Sequence, residues 1–251
     1  MKKTRRKQIP VLLLCASIGL LLLSTVGSAR AALTYYSENY AMEVTVSSIG
    51  VTLTENGTAV SYRNYLEDDW SDSGTGELLT HMLEETQGKL VPGRNYAESL
   101  AVTNSGAIDS YVRVILRRSW QDGNGRKDTT LSPDLIELGL TQGSGWVLDE
   151  KASTPERMVL YYTKVLPTGE STPALCATLR VSPKILSRVK EDVRDTGEGR
   201  VITTSYEYDG YWMNLEAEVD AVQTHNGEEA IRSAWGVDVR VAADGTLTLL
   251  P

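Results

Sequence analysis

The chain has 251 residues, 41% of them apolar and 23% charged, which is enough to bury a core and unlike a disordered, collagen-like or disulfide-stapled composition. A formal charge of −8 opposes nucleic-acid binding, which needs a basic face, and two His and two Cys exclude multi-cysteine zinc modules and histidine-rich metal clusters. Phe is absent while Tyr (12) and Trp (5) carry the aromatic load, so the core must be built with rings that bear a polar handle.

Residues 1–31 read as a secretory signal. Lys2, Lys3, Arg5, Arg6 and Lys7 form a basic start, 9–27 an apolar stretch, and Ala29-Arg30-Ala31 places small residues where a signal peptidase inspects them. Cleavage is expected after Ala31, leaving Ala32 as the first residue. An uncleaved anchor is the alternative, because 9–27 approaches the about 20 residues that span a bilayer. Only in that form would the chain be held in a membrane. Removal of the signal leaves 19 bases against 33 acids, a net charge of −14. It also leaves one cysteine, Cys176, so residues 32–251 are expected to fold as a single domain without an internal disulfide.

Along the remainder, period-two alternation dominates. Met42, Val44 and Val46, then Ile49, Val51 and Leu53, suggest two strands; Val112, Val114 and Leu116 suggest another; Leu175, Ala177, Leu179 and Val181 a fourth. Met213, Leu215, Ala217, Val219 and Ala221 alternate with Asn214, Glu216, Glu218 and Asp220 in the longest clean pattern. Further strands are expected at 146–149, 158–164, 237–241 and 246–250. Asn-Gly, Asp-Gly and Pro-Gly turns separate them, among them Pro92-Gly93, Asp209-Gly210, Asn226-Gly227 and Asp244-Gly245. Helical inserts are expected at 76–87, 183–193 and 228–235, and a charged, mobile excursion at 191–200. The fold class that follows is all-β, an antiparallel β-sandwich with short helical inserts.

Several segments, in order, resemble the family of exported Gram-positive proteins that includes the matrix fibre protein TasA and the camelysins. They are the leader closing on Ala-Arg-Ala, then Leu33-Thr34-Tyr35-Tyr36-Ser37, Val51-Thr52-Leu53-Thr54-Glu55-Asn56 and Val102-Thr103-Asn104-Ser105-Gly106. After these come Tyr111-Val112-Arg113-Val114, Leu166-Pro167-Thr168-Gly169 and Ala234-Trp235-Gly236. The resemblance implies cleavage by a SipW-type signal peptidase, a jelly-roll-like sandwich, and a secreted life at the cell surface or in a biofilm matrix. In fibre-forming members it also implies assembly by strand donation. The donor would be 32–46, with Tyr35, Tyr36 and Tyr40 as amphipathic anchors and Met42, Val44 and Val46 alternating for burial.

Candidate chemistry is sparse. Camelysin-like proteolysis would need two His one turn apart with a Glu base, and here His81 and His225 stand far apart. No Gly-x-Ser-x-Gly elbow is present, so no enzyme activity, catalytic residue or cofactor is expected. Asp122-Gly123-Asn124-Gly125-Arg126-Lys127-Asp128 is a loose echo of a calcium loop or a polar hairpin turn. The row Glu216, Glu218 and Asp220 is a cation-binding or solvated face. Cys176, opposite Leu175 and Leu179 by parity, is a second-layer core residue or an intermolecular disulfide. Tyr111, Arg113, Arg117 and Trp120 suggest a basic-aromatic face for a glycan or cell-surface partner. The leading reading is therefore a non-enzymatic structural subunit that associates with itself or related matrix proteins; the alternatives are a monomeric binding module or adhesin, and a camelysin-like metalloprotease.

Overall fold

The computed structural model describes residues 48–66, 69–73, 76–79, 82, 90–196 and 199–251. The signal, its cleavage site at Ala29, Ala31 and Ala32, and the donor positions Tyr35, Tyr36, Tyr40, Met42, Val44 and Val46 lie outside the described residues, as does His81.

The described strands are, in chain order, β1 (Ile49–Glu55), β2 (Thr58–Leu66), β3 (Asp69–Asp72), β4 (Gly76–Glu77), β5 (Tyr96–Asn104) and β6 (Ser110–Gln121). Then come β7 (Lys127–Asp128), β8 (Ile136–Leu140), β9 (Trp146–Leu148), β10 (Arg157–Tyr162) and β11 (Cys176–Val181). Last are β12 (Val189–Thr196), β13 (Gly199–Tyr206), β14 (Trp212–Gln223), helix α1 (Gly227–Trp235), β15 (Val239–Val241) and β16 (Leu247–Leu249).

Two antiparallel sheets form the body. One is ordered β3-β2-β1-β5-β11-β8, the other β4-β14-β6-β10-β9, with β7 added to β6. Alternation decides which side chains lie between them: Val51 and Leu53 of β1, Leu100 and Val102 of β5, and Leu179 and Val181 of β11 meet Val112, Val114 and Leu116 of β6 and Leu215, Ala217 and Val219 of β14 in one core. The all-β antiparallel sandwich expected from the sequence is present. Its strand order alone does not make it a jelly roll. Where large rings are buried, their polar ends are satisfied as the absence of Phe requires: Trp120 Nε1 donates to the Ser132 carbonyl at 2.9 Å and Tyr111 Oη to the Gly245 carbonyl at 3.0 Å.

A third layer covers part of the outer face of the second sheet. Ile231 of α1, Val239 of β15 and Leu247 of β16 pack on Tyr111 and Val222, while Trp235, Val237 and Leu249 cover Ile115, Val159 and Tyr161. Leu247 N–H bonds the Thr163 carbonyl at 2.7 Å, tying β16 to the end of β10. Gly227, at the start of α1, has no room for a side chain, since a Cβ there would sit 2.7 Å from the Tyr111 ring.

Several expectations change. The helix expected at 183–193 is a single 3-10 turn, Pro183–Ser187, followed directly by β12. The mobile excursion expected at 191–200 lies within an antiparallel pair, β12 and β13, with Val193 opposite Ile202. At 76–87 the described part includes a two-residue strand, β4, and the rest lies outside the described residues. The short helix expected at 228–235 is α1.

Candidate functional site

Strand parity separates the residues expected to form a basic-aromatic partner face. Even-numbered positions of β6 face the core and odd-numbered positions face outward, so Trp120 is buried between the sheets while Tyr111, Arg113 and Arg117 lie outside. Tyr111 is then sealed under α1 and the β15–β16 hairpin, at 1% exposure. The face therefore does not exist as one surface, and of the four Arg113 and Arg117 are the charged groups left on the outer side.

Both are paired. Asp220 of β14 stands directly opposite Arg113 of β6, and Arg113 Nε donates to its Oδ2 at 3.1 Å while Nη2 closes on the same oxygen. The other carboxylate oxygen receives Nη1 of Arg63, which reaches over from β2 in the first sheet. Asp220 is thus held between two guanidiniums, its side chain 4% exposed. Glu218 accepts from Arg117 Nη2 at 2.9 Å, and Glu216 accepts from Asn214 Nδ2 at 2.9 Å. Of the acidic row, Asp220 alone is buried; Glu216 and Glu218 stay partly exposed, each with a neighbouring donor.

Each of the two arginines around Asp220 also carries an indole. Arg63 lies 4.6 Å from the Trp70 ring centroid, and Arg113 lies 5.1 Å from that of Trp235. The row Trp70, Arg63, Asp220, Arg113, Trp235 links the edge of the first sheet, the outer face of the second and the end of α1. It borders a cleft of about 290 Å³ whose remaining walls include Ile49, Gln223 and Ser233. No sequence separation hints at this site, since Arg63 and Asp220 are 157 positions apart.

A comparison of the chain with protein-family models, with curated proteins and with solved structures finds no match. The site is therefore interpreted from its own geometry.

A second polar cluster lies inside the first sheet's core face. Glu55 of β1 and Glu98 of β5 are both buried, Glu55 accepts the Leu79 N–H at 2.6 Å, and one Glu98 oxygen has no hydrogen-bond partner. Burial raises the Glu98 carboxyl to about 8, helped by the negative charge of Glu55, whose carboxylate accepts a hydrogen bond from the protonated Glu98. Cys176 sits beside this pair, donating to the Glu98 carbonyl at 3.6 Å. A register shift between Cys176 and Thr178 turns Cys176 inward with Leu179, so it belongs to the main core rather than to a second layer. Burial pushes its thiol up to about 12, which removes the thiolate that disulfide exchange requires.

The calcium echo resolves as a hairpin turn between β6 and β7. Asp122 Oδ1 accepts the N–H groups of Asn124 and Arg126 at 2.9 Å each, and Oδ2 accepts Arg126 Nε at 3.4 Å, so both oxygens serve the turn itself. His225 is exposed in the turn before α1, and among the described residues no group of three or more His, Cys, Asp or Glu converges to hold a metal. Among the described residues no helix is long and apolar enough to cross a membrane.

Proposed function

We propose that the protein is a non-enzymatic, exported structural subunit, released by a SipW-type signal peptidase and assembling at the cell surface or in a biofilm matrix by donating 32–46 to the sheet of the next copy. The supporting observation is the second edge of β14. Toward β6 this strand is paired along its whole length; toward β4 it is paired only at Glu216 and Ala217. Among the described residues, positions 218–223 have no strand partner on that side.

The geometry of that edge suits an added strand. Leu78 N–H bonds the Leu215 carbonyl at 3.2 Å, so Leu215 directs its main-chain groups away from β6. By alternation Val219 and Ala221 do the same, although both residues are buried. Buried main-chain donors and acceptors are nearly always paired, and six residues of open ladder offer about 20 Å of strand to a partner. The segment 32–46 supplies alternating Met42, Val44 and Val46 with Tyr35, Tyr36 and Tyr40 as anchors.

Electron microscopy and light scattering of the cleaved protein, beside a form lacking 32–46, test this reading. Filaments or oligomers are expected from the first alone, and a synthetic 32–46 peptide should bind the shortened form with one-to-one stoichiometry. Filaments that persist without the segment would sink strand donation.

One observation favours the second reading, a monomeric extracellular binding module: the cleft beside Asp220 exposes a tryptophan and an arginine together. A protein that stays monomeric with 32–46 intact would move the assignment there.

A further inference from the structure

We propose that the cleft bordered by Trp70, Arg63, Arg113 and Trp235 binds a carboxylate-bearing sugar, a hexuronic acid residue of an acidic polysaccharide. Three features of the cleft carry this inference; the cleft shares Asp220, Ala221, Val222 and Gln223 with the open edge of β14, so a bound sugar and a donated strand would compete there.

The first is charge. Two guanidiniums enclose a single carboxylate, so the Arg63, Asp220, Arg113 group carries one positive charge more than it neutralises. It does so on a chain whose formal charge is −8. The general field of the molecule repels dense polyanions. Only a ligand of modest charge that reaches this local excess is favoured.

The second is unfilled donor capacity. A guanidinium has five N–H donors in a fixed fork that matches a carboxylate edge. Arg63 spends Nη1 on Asp220, its Nε is buried with no hydrogen-bond partner, and its side chain, 34% exposed, lines the cleft. A buried donor without a partner is rare and marks a side chain whose hydrogen-bonding set is incomplete. Asp220 holds the far side of the arginine, so the fork is oriented before a ligand arrives. Pre-setting the side chain in this way lowers the ordering cost of binding.

The third is aromatic surface beside that fork. Trp70 is 43% exposed on β3, and it retains open ring surface beyond what Arg63 and Tyr65 cover. The C–H face of a pyranose packs on such a ring, and Ser233 and Gln223, which also line the cleft, carry hydrogen-bonding groups suited to its hydroxyls. A phosphate group would draw on several cations and gain nothing from the indole. A volume of about 290 Å³ is at the small end of ligand pockets and admits one ring of a chain rather than a long glycan.

Calorimetry and tryptophan fluorescence of the purified full-length chain with trigalacturonate test the proposal, with fully methyl-esterified trigalacturonate as the uncharged control. Saturable binding of the acid form is expected, with at least tenfold weaker binding of the ester. Trp70→Ala, on an exposed edge strand, and Arg63→Lys, which keeps the charge and loses the fork, should each weaken the acid form at least fivefold without changing the unfolding midpoint by more than a few degrees. Equal binding of acid and ester, no saturation at 10 mM, or unchanged affinity in Trp70→Ala would each overturn it. Filament formation by Trp70→Ala is measured in parallel: a variant that loses the sugar and still polymerises separates this site from strand donation.

Discussion

Arg113 and Asp220 face each other across the β6–β14 ladder, and Arg113 Nε reaches Asp220 Oδ2 at 3.1 Å while Arg63 arrives on the other oxygen from the opposite sheet. One carboxylate therefore ties a strand of the first sheet to two strands of the second. Removing it strands two guanidiniums, one of them 13% exposed, where hydration cannot replace the lost partner. Asp220→Ala is expected to cost about 3–5 kcal/mol in urea unfolding, the range for breaking a buried ion pair from one side. Asp220→Asn, which keeps the shape, should cost less. A loss under about 1 kcal/mol for the alanine variant would show that the pair is worth no more than a surface one.

Glu98 ties stability to pH. Its carboxyl titrates near 8 in the folded chain against 4.5 when unfolded, because burial and the Glu55 charge disfavour ionisation. Between those values the folded state holds a proton that the unfolded state has released, so the Glu98 contribution to stability is full below about 4.5 and is lost as pH rises toward 8. At about 1.4 kcal/mol per unit the change amounts to a few kcal/mol. Glu98→Gln should raise the unfolding midpoint at pH 7.5 and flatten its dependence between pH 5 and 8. An unchanged slope would refute the assignment to Glu98.

Tyr111 anchors the third layer by its ring and by its hydroxyl. Tyr111→Phe removes only the bond to the Gly245 carbonyl and should cost about 0.5–1.5 kcal/mol. Gly227→Ala forces a methyl to within 2.7 Å of the same ring and should cost about 1–3 kcal/mol. Hydrogen exchange should show the α1 amides opening earlier in both variants, with those of β14 less affected.

Cys176 should be silent toward thiol reagents. Its burial and raised thiol predict no labelling by a disulfide reagent at pH 8 in the folded protein and full labelling in guanidinium. Rapid labelling of the native protein would reopen an intermolecular disulfide.

The parts of the fold legible in the sequence are those in which burial alone sets the pattern. In β14, Leu215, Ala217 and Val219 face the core and their neighbours do not, so the strand reads directly. β5 escapes notice because two of its inward positions, Glu98 and Asn104, are polar and pair inside, which erases the alternation. β12 and β13 were hidden because no apolar face is buried there, and hydrogen bonding between their backbones leaves no hydropathy signal. The direction of Cys176 depends on a bulge that parity cannot register. Tyr111 and Trp120, by contrast, lie an odd number of positions apart on one strand, and their opposite faces were available from the sequence. The cleft was not, because β2, β3, β6, β14 and α1 each contribute to it.

The β12–β13 arm has a consequence for the covalent chain. Its described side chains are exposed, and among the described residues its strands pair with no strand of the sandwich. Such a projection is where a protease meets backbone that can be drawn into its active site. A cut there would leave β14 in register with β6 along twelve residue pairs and Arg63 still bound to Asp220 from the other fragment. The two pieces would travel as one particle through a sizing column and separate only in denaturant, making the molecule a natural candidate for split-fragment complementation.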